Sequence, residues 1–310
     1  MSKNKAMKDF INISDFTSAD LAQLLDLAIA DKKLFRAGAL PKTLQNKTLA
    51  MIFEKPSLRT RVSFETAMSQ LGGHAIYLTQ ADIGLGKREP VKDIARVLGR
   101  ICDGIMARTF SHDMVVELAA HSPRPVINGL TDWSHPCQAM ADLMTVQETF
   151  SSLKGRTMVF IGDGNNVARS LGFACAKLGM KFILSSPEGY ELDEASSQAM
   201  LEMSPESYRL ERQPMVAVKH ADAIYTDTWV SMGQEQERAK RLSDLSEFQI
   251  NAKLLSAAPR HAIVLHCLPA YRDHEITDEA FELHAATIME EAENRLHFQR
   301  TLLNVLLADR

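Results

Sequence analysis

The sequence predicts an α/β protein built as two doubly wound parallel-sheet domains joined by helices. Three observations predict it. At 310 residues the chain is long for one core, because single cores stop growing near roughly 250–300 residues. Short apolar runs rich in β-branched and aromatic residues alternate with segments of helical periodicity. Polar groups recur directly after those runs, where open α/β sheets collect their ligands. The expected division is residues 1–134, rejoined by a C-terminal helix 294–310, and residues 135–293.

Thr17 and Asp20 form an acidic variant of a capping box, and Leu21, Leu24, Leu25 and Ala28 share one helical face behind it. Residues 48–53 read as a buried strand. After them Val62, Phe64, Ala67, Met68 and Leu71 fall at helical intervals, closed by Gly72-Gly73, and 75–78 is a strand. The polar stretch Gln80 to Pro90, with Gly84, Lys87 and Arg88, is expected to be a mobile loop or functional rim. Helix 91–101, strand 104–107 ending at Arg108, helix 115–121 and strand 125–128 complete a βαβα series. Such a series implies a parallel sheet covered on both faces.

A helix over 139–150 leads to strand 157–161, the turn Gly162-Asp163-Gly164-Asn165-Asn166, and a helix through Cys175. Further strands are expected at 181–185, 223–226 and 262–265. The last segment, from about residue 294 to 307, is an amphipathic helix carrying Leu302, Leu303, Leu306 and Leu307.

Composition removes several function classes. Hydrophobic residues make up 45% and charged residues 24%, as in an ordinary globular protein, and a net charge of -4 leaves no basic footprint for nucleic acid. No apolar run reaches transmembrane length, and Met1 to Lys8 has no signal-peptide pattern, so neither membrane nor export is expected. Cys102, Cys137, Cys175 and Cys267 are scattered without a CxxC pair, which favours free thiols in a cytoplasmic protein.

Ser57-Leu58-Arg59-Thr60-Arg61 sits where a strand hands over to a helix. Backbone N–H groups there lack intrahelical partners, and the helix dipole favours negative charge. Two hydroxyls and two guanidiniums added to those N–H groups make an anion site suited to phosphate. The plainer reading is a capped helix with solvated arginines. Other polar groups follow strands: Arg108, His135-Pro136-Cys137-Gln138, the glycine turn, Asp227-Thr228-Trp229, and His266-Cys267-Leu268-Pro269. Taken singly, the histidines read as packed or solvated, Cys267 as a small buried hydrophobe, and Asp227 as a cap. The Cys and His spacing matches no usual zinc pattern. Gly162-x-Gly164 suggests a dinucleotide turn, but a third glycine is missing and the next strand ends in Ser185-Ser186 without an acidic residue. A non-catalytic binding protein would not need a pair such as Cys267 and Asp227.

Taken together, Ser57-Leu58-Arg59-Thr60-Arg61, His135-Pro136-Cys137-Gln138, Asp227-Thr228-Trp229-Val230-Ser231-Met232-Gly233, His266-Cys267-Leu268-Pro269 and Glu291-Ala292-Glu293-Asn294-Arg295 span almost the whole chain. In that order they resemble the aspartate/ornithine carbamoyltransferase family. The first two are shared across the family, while Asp-x-x-x-Ser-Met-Gly and His-Cys-Leu-Pro point to its ornithine branch.

The resemblance implies attack of the δ-amine of L-ornithine on carbamoyl phosphate, giving citrulline and phosphate in arginine biosynthesis. It implies that Ser57, Leu58 through its backbone, Arg59, Thr60 and Arg108 hold the phosphate and carbonyl oxygens. His135 and Gln138 would contact the carbamoyl group, with His135 polarising the carbonyl. Asn166, Asp227, Ser231 and Met232 would hold ornithine, Cys267 and Leu268 would flank the reacting centre, and Arg295 would return to the first domain's site. Cys267, Asp227, Arg108 and His135 are the expected catalytic residues. No metal or organic cofactor is implied, and similar proteins are homotrimers whose domains close on binding.

Two positions depart from the family pattern. Leu58 stands where Thr is usual, removing one hydroxyl near the phosphate. Leucine also occurs there in relatives acting on N-acylated ornithine, so that substrate class is the alternative. Gly84 aligns where many ornithine enzymes carry Gln, which leaves Lys87 or Arg88 as substitutes, reaching into a neighbouring subunit's site.

Overall fold

The computed structural model describes residues 7–84, 89–231 and 233–308, so Lys87, Arg88 and Met232 lie outside the described residues. The chain divides into two compact units, Met1–Cys137 with Arg295–Arg310, and Gln138–Asn294.

The first unit opens with α1 (Ser18–Arg36), where the Thr17 hydroxyl accepts from the Asp20 N–H and the Asp20 carboxylate accepts from the Thr17 N–H. It continues through β1 (Thr48–Phe53), α2 (Leu58–Gln70), β2 (His74–Thr79), the short α3 (Gln80–Ile83), α4 (Val91–Ile101), β3 (Gly104–Arg108), α5 (His112–His121) and β4 (Val126–Leu130). The sheet is parallel, in the order β2-β1-β3-β4. Ile52, Ile105, Ala107 and Val126 of the sheet pack with Ile94, Ala95, Val115 and Leu118 of α4 and α5. The chain reverses its winding between β1 and β3, so the crevice beyond Phe53 and Arg108, which are register partners, is where this topology places a ligand.

The second unit is built from α6 (Pro136–Phe150), which begins at the boundary, then β5 (Thr157–Ile161), α7 (Asn166–Lys177), β6 (Lys181–Ser185), α8 (Glu194–Met203), β7 (Tyr208–Leu210), α9 (Pro214–Ala217), β8 (Ala223–Thr226), α10 (Arg238–Asp244), α11 (Ala252–Ser256) and β9 (Ile263–His266). Its parallel sheet runs β7-β6-β5-β8-β9. The winding reverses between β5 and β8, beyond which lie the glycine turn and Asp227. This is the doubly wound α/β architecture that the strand–helix alternation predicts.

The final helix, α12 (Asp278–Leu307), begins sixteen residues before the expected start at 294. In its first half Ala280, Phe281 and Ile288 are buried while Leu283 and Met289 are exposed, so the apolar residues do not trace one face and the periodic signal is thin. Asp278 and Glu279 in its first turn complement the helix dipole. Among the described residues no helix is long and apolar enough to cross a membrane.

Candidate active site

In the first unit, Ser57 caps α2, its hydroxyl accepting from the Thr60 N–H at 3.3 Å. Thr60 is 1% exposed and is the hub of the cluster. Its Oγ1 lies 3.1 Å from the Ser57 hydroxyl, 3.2 Å from the Arg295 guanidinium and 3.5 Å from that of Arg108. Leu58, 73% exposed, and half-buried Arg59 occupy the first turn of the same helix. Arg61 is engaged elsewhere: it donates to Glu65 at 2.9 Å and lies 3.9 Å above the Tyr77 ring. The second guanidinium expected from this motif therefore comes from Arg108 on β3, with a third from Arg295 on α12.

His135 is buried, and burial together with Arg295, Arg108 and Lys55 holds its imidazole well below the ordinary histidine value. It is a neutral ring at physiological pH. Lys55 is buried beside Arg108, with its ammonium 4.4 Å from the Phe110 ring. Burial first, and the Arg108 charge second, lower its pKa to about 8. Gln299 sits one turn beyond Arg295 on α12. With its amide oxygen toward Arg295 it accepts from Nε and Nη2, each at 3.1 Å, while its amide nitrogen donates to Ser63. The cluster thus concentrates fixed positive charge and N–H donors at one helix N-terminus.

In the second unit, Asp227 follows β8. Its Oδ1 accepts from the Thr228 N–H at 2.7 Å and from the Cys267 thiol at 2.9 Å, and its Oδ2 accepts from Asn165 Nδ2 at 2.7 Å. Asn165 is fixed from its other end, since Oδ1 caps α7 by accepting from the Val167 and Ala168 N–H groups. Asn166, the expected ligand residue, is the first residue of α7, and the residue that holds Asp227 is its neighbour. Burial and then the Asp227 charge push the Cys267 thiol well above its ordinary value, so it is a thiol and not a thiolate.

The turn bearing Cys267 and Leu268 is tied down by His266, which is fully buried. Its Nδ1 accepts from the Leu268 N–H at 2.9 Å, and Nε2 faces Glu275 at 3.0 Å, which sets a neutral Nε2–H tautomer. His266 is a structural tie and is no ligand to an ion. Among the described residues no cluster of three or more metal-binding side chains exists. The glycine turn has a packing reason: a Cβ on Gly164 would sit 2.6 Å from the backbone of Glu191 and Leu192. Gln138 is buried on α6, its Nε2 donating to Asp142 at 2.7 Å and to Glu291 at 3.4 Å. Ser231 lies in the loop after Trp229, its N–H donating to Gln234 at 3.0 Å.

Sequence reasoning gives no part to Lys55, Gln299 or Asp142, and names Asn165 and Glu291 only within longer motifs. The i, i+4 spacing of Arg295 and Gln299 is the one signal that points to a pair in advance.

Comparison with known proteins fits this geometry. Residues 8–148 match the carbamoyl-P binding domain of the aspartate/ornithine carbamoyltransferases, and residues 154–306 match their Asp/Orn binding domain. The chain is 44% identical to the ornithine carbamoyltransferase of Hydrogenovibrio crunogenus over 303 residues, covering 98% of this chain and 99% of that protein. It is 45% identical to the anabolic enzyme of Pyrococcus furiosus over 305 residues, covering 97% of each. A solved structure of ornithine carbamoyltransferase from Pyrococcus furiosus superposes with a TM-score of 0.93 at 45% identity, covering 97% of both chains. The anabolic enzyme from Campylobacter jejuni gives 0.91 at 39% identity, covering 97% of this chain and 99% of that one.

Proposed function

The chain belongs to the aspartate/ornithine carbamoyltransferase family, and on that premise we propose that it transfers the carbamoyl group of carbamoyl phosphate to the δ-amine of L-ornithine. The products are citrulline and phosphate, and the anabolic naming of a relative fits arginine biosynthesis. The observation that carries the reading is Asp227: a buried carboxylate, suited to an ammonium, that also holds the Cys267 thiol.

Carbamoyl phosphate binds at the N-terminus of α2. Its phosphate takes the backbone N–H groups of Leu58 to Thr60, the Ser57 and Thr60 hydroxyls, and the guanidiniums of Arg59 and Arg108. Arg295 and Arg108 neutralise charge on the carbonyl oxygen as the tetrahedral intermediate forms. A neutral His135 donates one hydrogen bond to that oxygen without having to lose a proton. Gln138 holds the carbamoyl amide end. Loss of Thr at position 58 removes a hydroxyl but keeps the backbone donor.

Ornithine binds in the second unit, with Asp227 taking its α-ammonium and Asn166, Ser231 and Met232 its remaining polar groups. An alkyl ammonium has an unperturbed pKa near ~10.4, so the δ-amine must be deprotonated before it attacks. Cys267, a neutral thiol bonded to Asp227, and the Leu268 backbone flank the attacking nitrogen, which desolvation brings toward the neutral form. The leaving phosphate departs as an anion already neutralised by α2 and its arginines. The homotrimer that the family resemblance implies is part of this proposal, with the 80s loop contributing to a neighbouring site.

The test is citrulline formation from carbamoyl phosphate with ornithine, N-acetylornithine, putrescine and aspartate as acceptors. Turnover confined to ornithine is the expected result. A preference for the acetylated acceptor, the class that Leu58 suggested, would overturn it.

A further inference from the structure

Beneath the Cys267 turn lie two carboxyl groups that the reaction as described does not use. Asp142 on α6 and Glu291 on α12 are both 0% exposed. Glu291 Oε2 accepts from the backbone N–H of His266 at 2.8 Å, and its Oε1 accepts from Gln138 Nε2 at 3.4 Å. Gln138 Nε2 also donates to Asp142 Oδ1 at 2.7 Å, so one amide NH₂ bridges two fully buried carboxyls. Two carboxylates held at one donor out of water repel each other, and each would be an acceptor only. One proton between them removes the repulsion.

We propose that Asp142 and Glu291 share a single proton and act as a positioning pair, tying the Gln138 amide to the backbone of the turn that carries Cys267. The inference rests on the reading of Gln138 and Cys267 as flanking the reacting carbamoyl group. The groups facing the pair agree with one bound proton. Tyr225 on β8, Cys175 on α7 and Cys267 beyond it are neutral acids, each held protonated by burial. Burial and then the Asp142 charge push the Glu291 carboxyl well above the ordinary range, in keeping with one proton held by the pair.

The arrangement has a consequence for recognition. Both carboxyls hold the NH₂ end of Gln138, so the amide cannot turn over without setting its oxygen against a carboxylate. The carbonyl end is then the one presented to a ligand N–H₂, which is the hydrogen-bonding character of a carbamoyl nitrogen. A glutamine free to flip would offer a donor there half the time.

Infrared spectroscopy tests the shared proton without reference to activity. The wild-type protein at neutral pH should show a protonated-carboxyl C=O band that shifts in D₂O and is missing from Glu291→Gln. Absence of that difference would overturn the proposal even if the enzyme is fully active. Steady-state kinetics tests the positioning role. Glu291→Gln, which keeps an acceptor for the His266 N–H and a donor for Asp142, should retain kcat within about threefold. Glu291→Leu should lose about a hundredfold or more in kcat, on a protein whose melting temperature and circular dichroism are checked beside it. Equal losses in the two variants would also overturn it. Failure of the acceptor assay with an intact infrared band would instead indict the functional reading.

Discussion

The Cys267 thiol donates to Asp227 Oδ1 across 2.9 Å, and this bond decides what kind of cysteine Cys267 is. A nucleophilic cysteine sits among cations that stabilise its thiolate. Here the neighbours are Asp227, Glu291 and Asp142, all of which raise its pKa after burial has done so. On the function proposed above, Cys267 is therefore a hydrogen-bond donor and orienting group on the ornithine side. Cys267→Ala should lower kcat on the order of a hundredfold, the range of a lost acid–base partner. Carbamoyl phosphate affinity should stay nearly unchanged. Mass spectrometry during turnover should find no carbamoyl thioester on Cys267, and trapping one would reverse the assignment.

Arg59→Ala should cripple carbamoyl phosphate binding. A desolvated, charge-assisted phosphate contact is worth about 2–5 kcal/mol, or roughly thirtyfold and upward in Kd. Isothermal titration reads this directly, and an unchanged Kd would remove Arg59 from the site. Arg61→Ala is the control. Its guanidinium is committed to Glu65 and Tyr77, so carbamoyl phosphate affinity should move little.

Lys55 gives the site a pH dependence. Its pKa is lowered from 10.5 to about 8, so the ammonium is present below that pH and lost above it. Binding of an anion beside it should weaken by roughly tenfold as pH rises from about 7 to about 9, given the size of one charge at short range. Lys55→Met should bind more weakly at pH 7 and show a flatter profile. The stability sign runs the other way. Between about 8 and 10.5 the unfolded lysine holds a proton that the folded one has lost, so this group adds stability to the ligand-free protein as pH rises through that window. A carbamoyl phosphate Kd that is flat across pH 8 would count against the assignment.

The cluster at the start of α2 was legible because its parts are contiguous: Ser57, Arg59 and Thr60 occupy one helix start, and a helix N-terminus offers free N–H groups without a distant partner. The βαβ alternation was legible for the same reason, since strands such as 157–161 and 181–185 are short, have apolar centres at 158–161 and 182–184, and are bounded by turns. What escaped was contact across sequence. Asn165 meets Asp227 from 62 residues away, and Gln138 meets Glu291 across 153. No spacing rule links those pairs, which depend on where β5, β8 and two helices come together. The edge strand β7 escaped because Arg209 and Leu210 are exposed, leaving no apolar run to read. Lys55 looked like an ordinary charged residue, since burial is a property of the fold.

The acceptor should be unmodified L-ornithine, because Asp227 is built to take one more donor. A carboxylate offers roughly four acceptor positions. Three are occupied, by the Thr228 N–H, the Cys267 thiol and Asn165 Nδ2. An α-ammonium fills the remainder with donor-only chemistry and an opposite charge. Acetylation replaces it with a neutral amide, adds bulk, and leaves a buried carboxylate without its counter-charge. Sites that hydrogen-bond a substrate group reject analogues lacking it by roughly 10⁴-fold, so a penalty of at least about a thousandfold in kcat/KM is expected for N-acetylornithine. Putrescine lacks the amino acid head and should fail for the same reason. Leu58, the residue that argued for an acylated substrate, belongs to α2 of the first unit, where the phosphate is proposed to bind, whereas Asp227 belongs to the second. Asp227→Asn should narrow the gap by slowing ornithine far more than the acetylated compound. Comparable kcat/KM values for both acceptors in the wild-type enzyme would show that Asp227 does not read the ammonium.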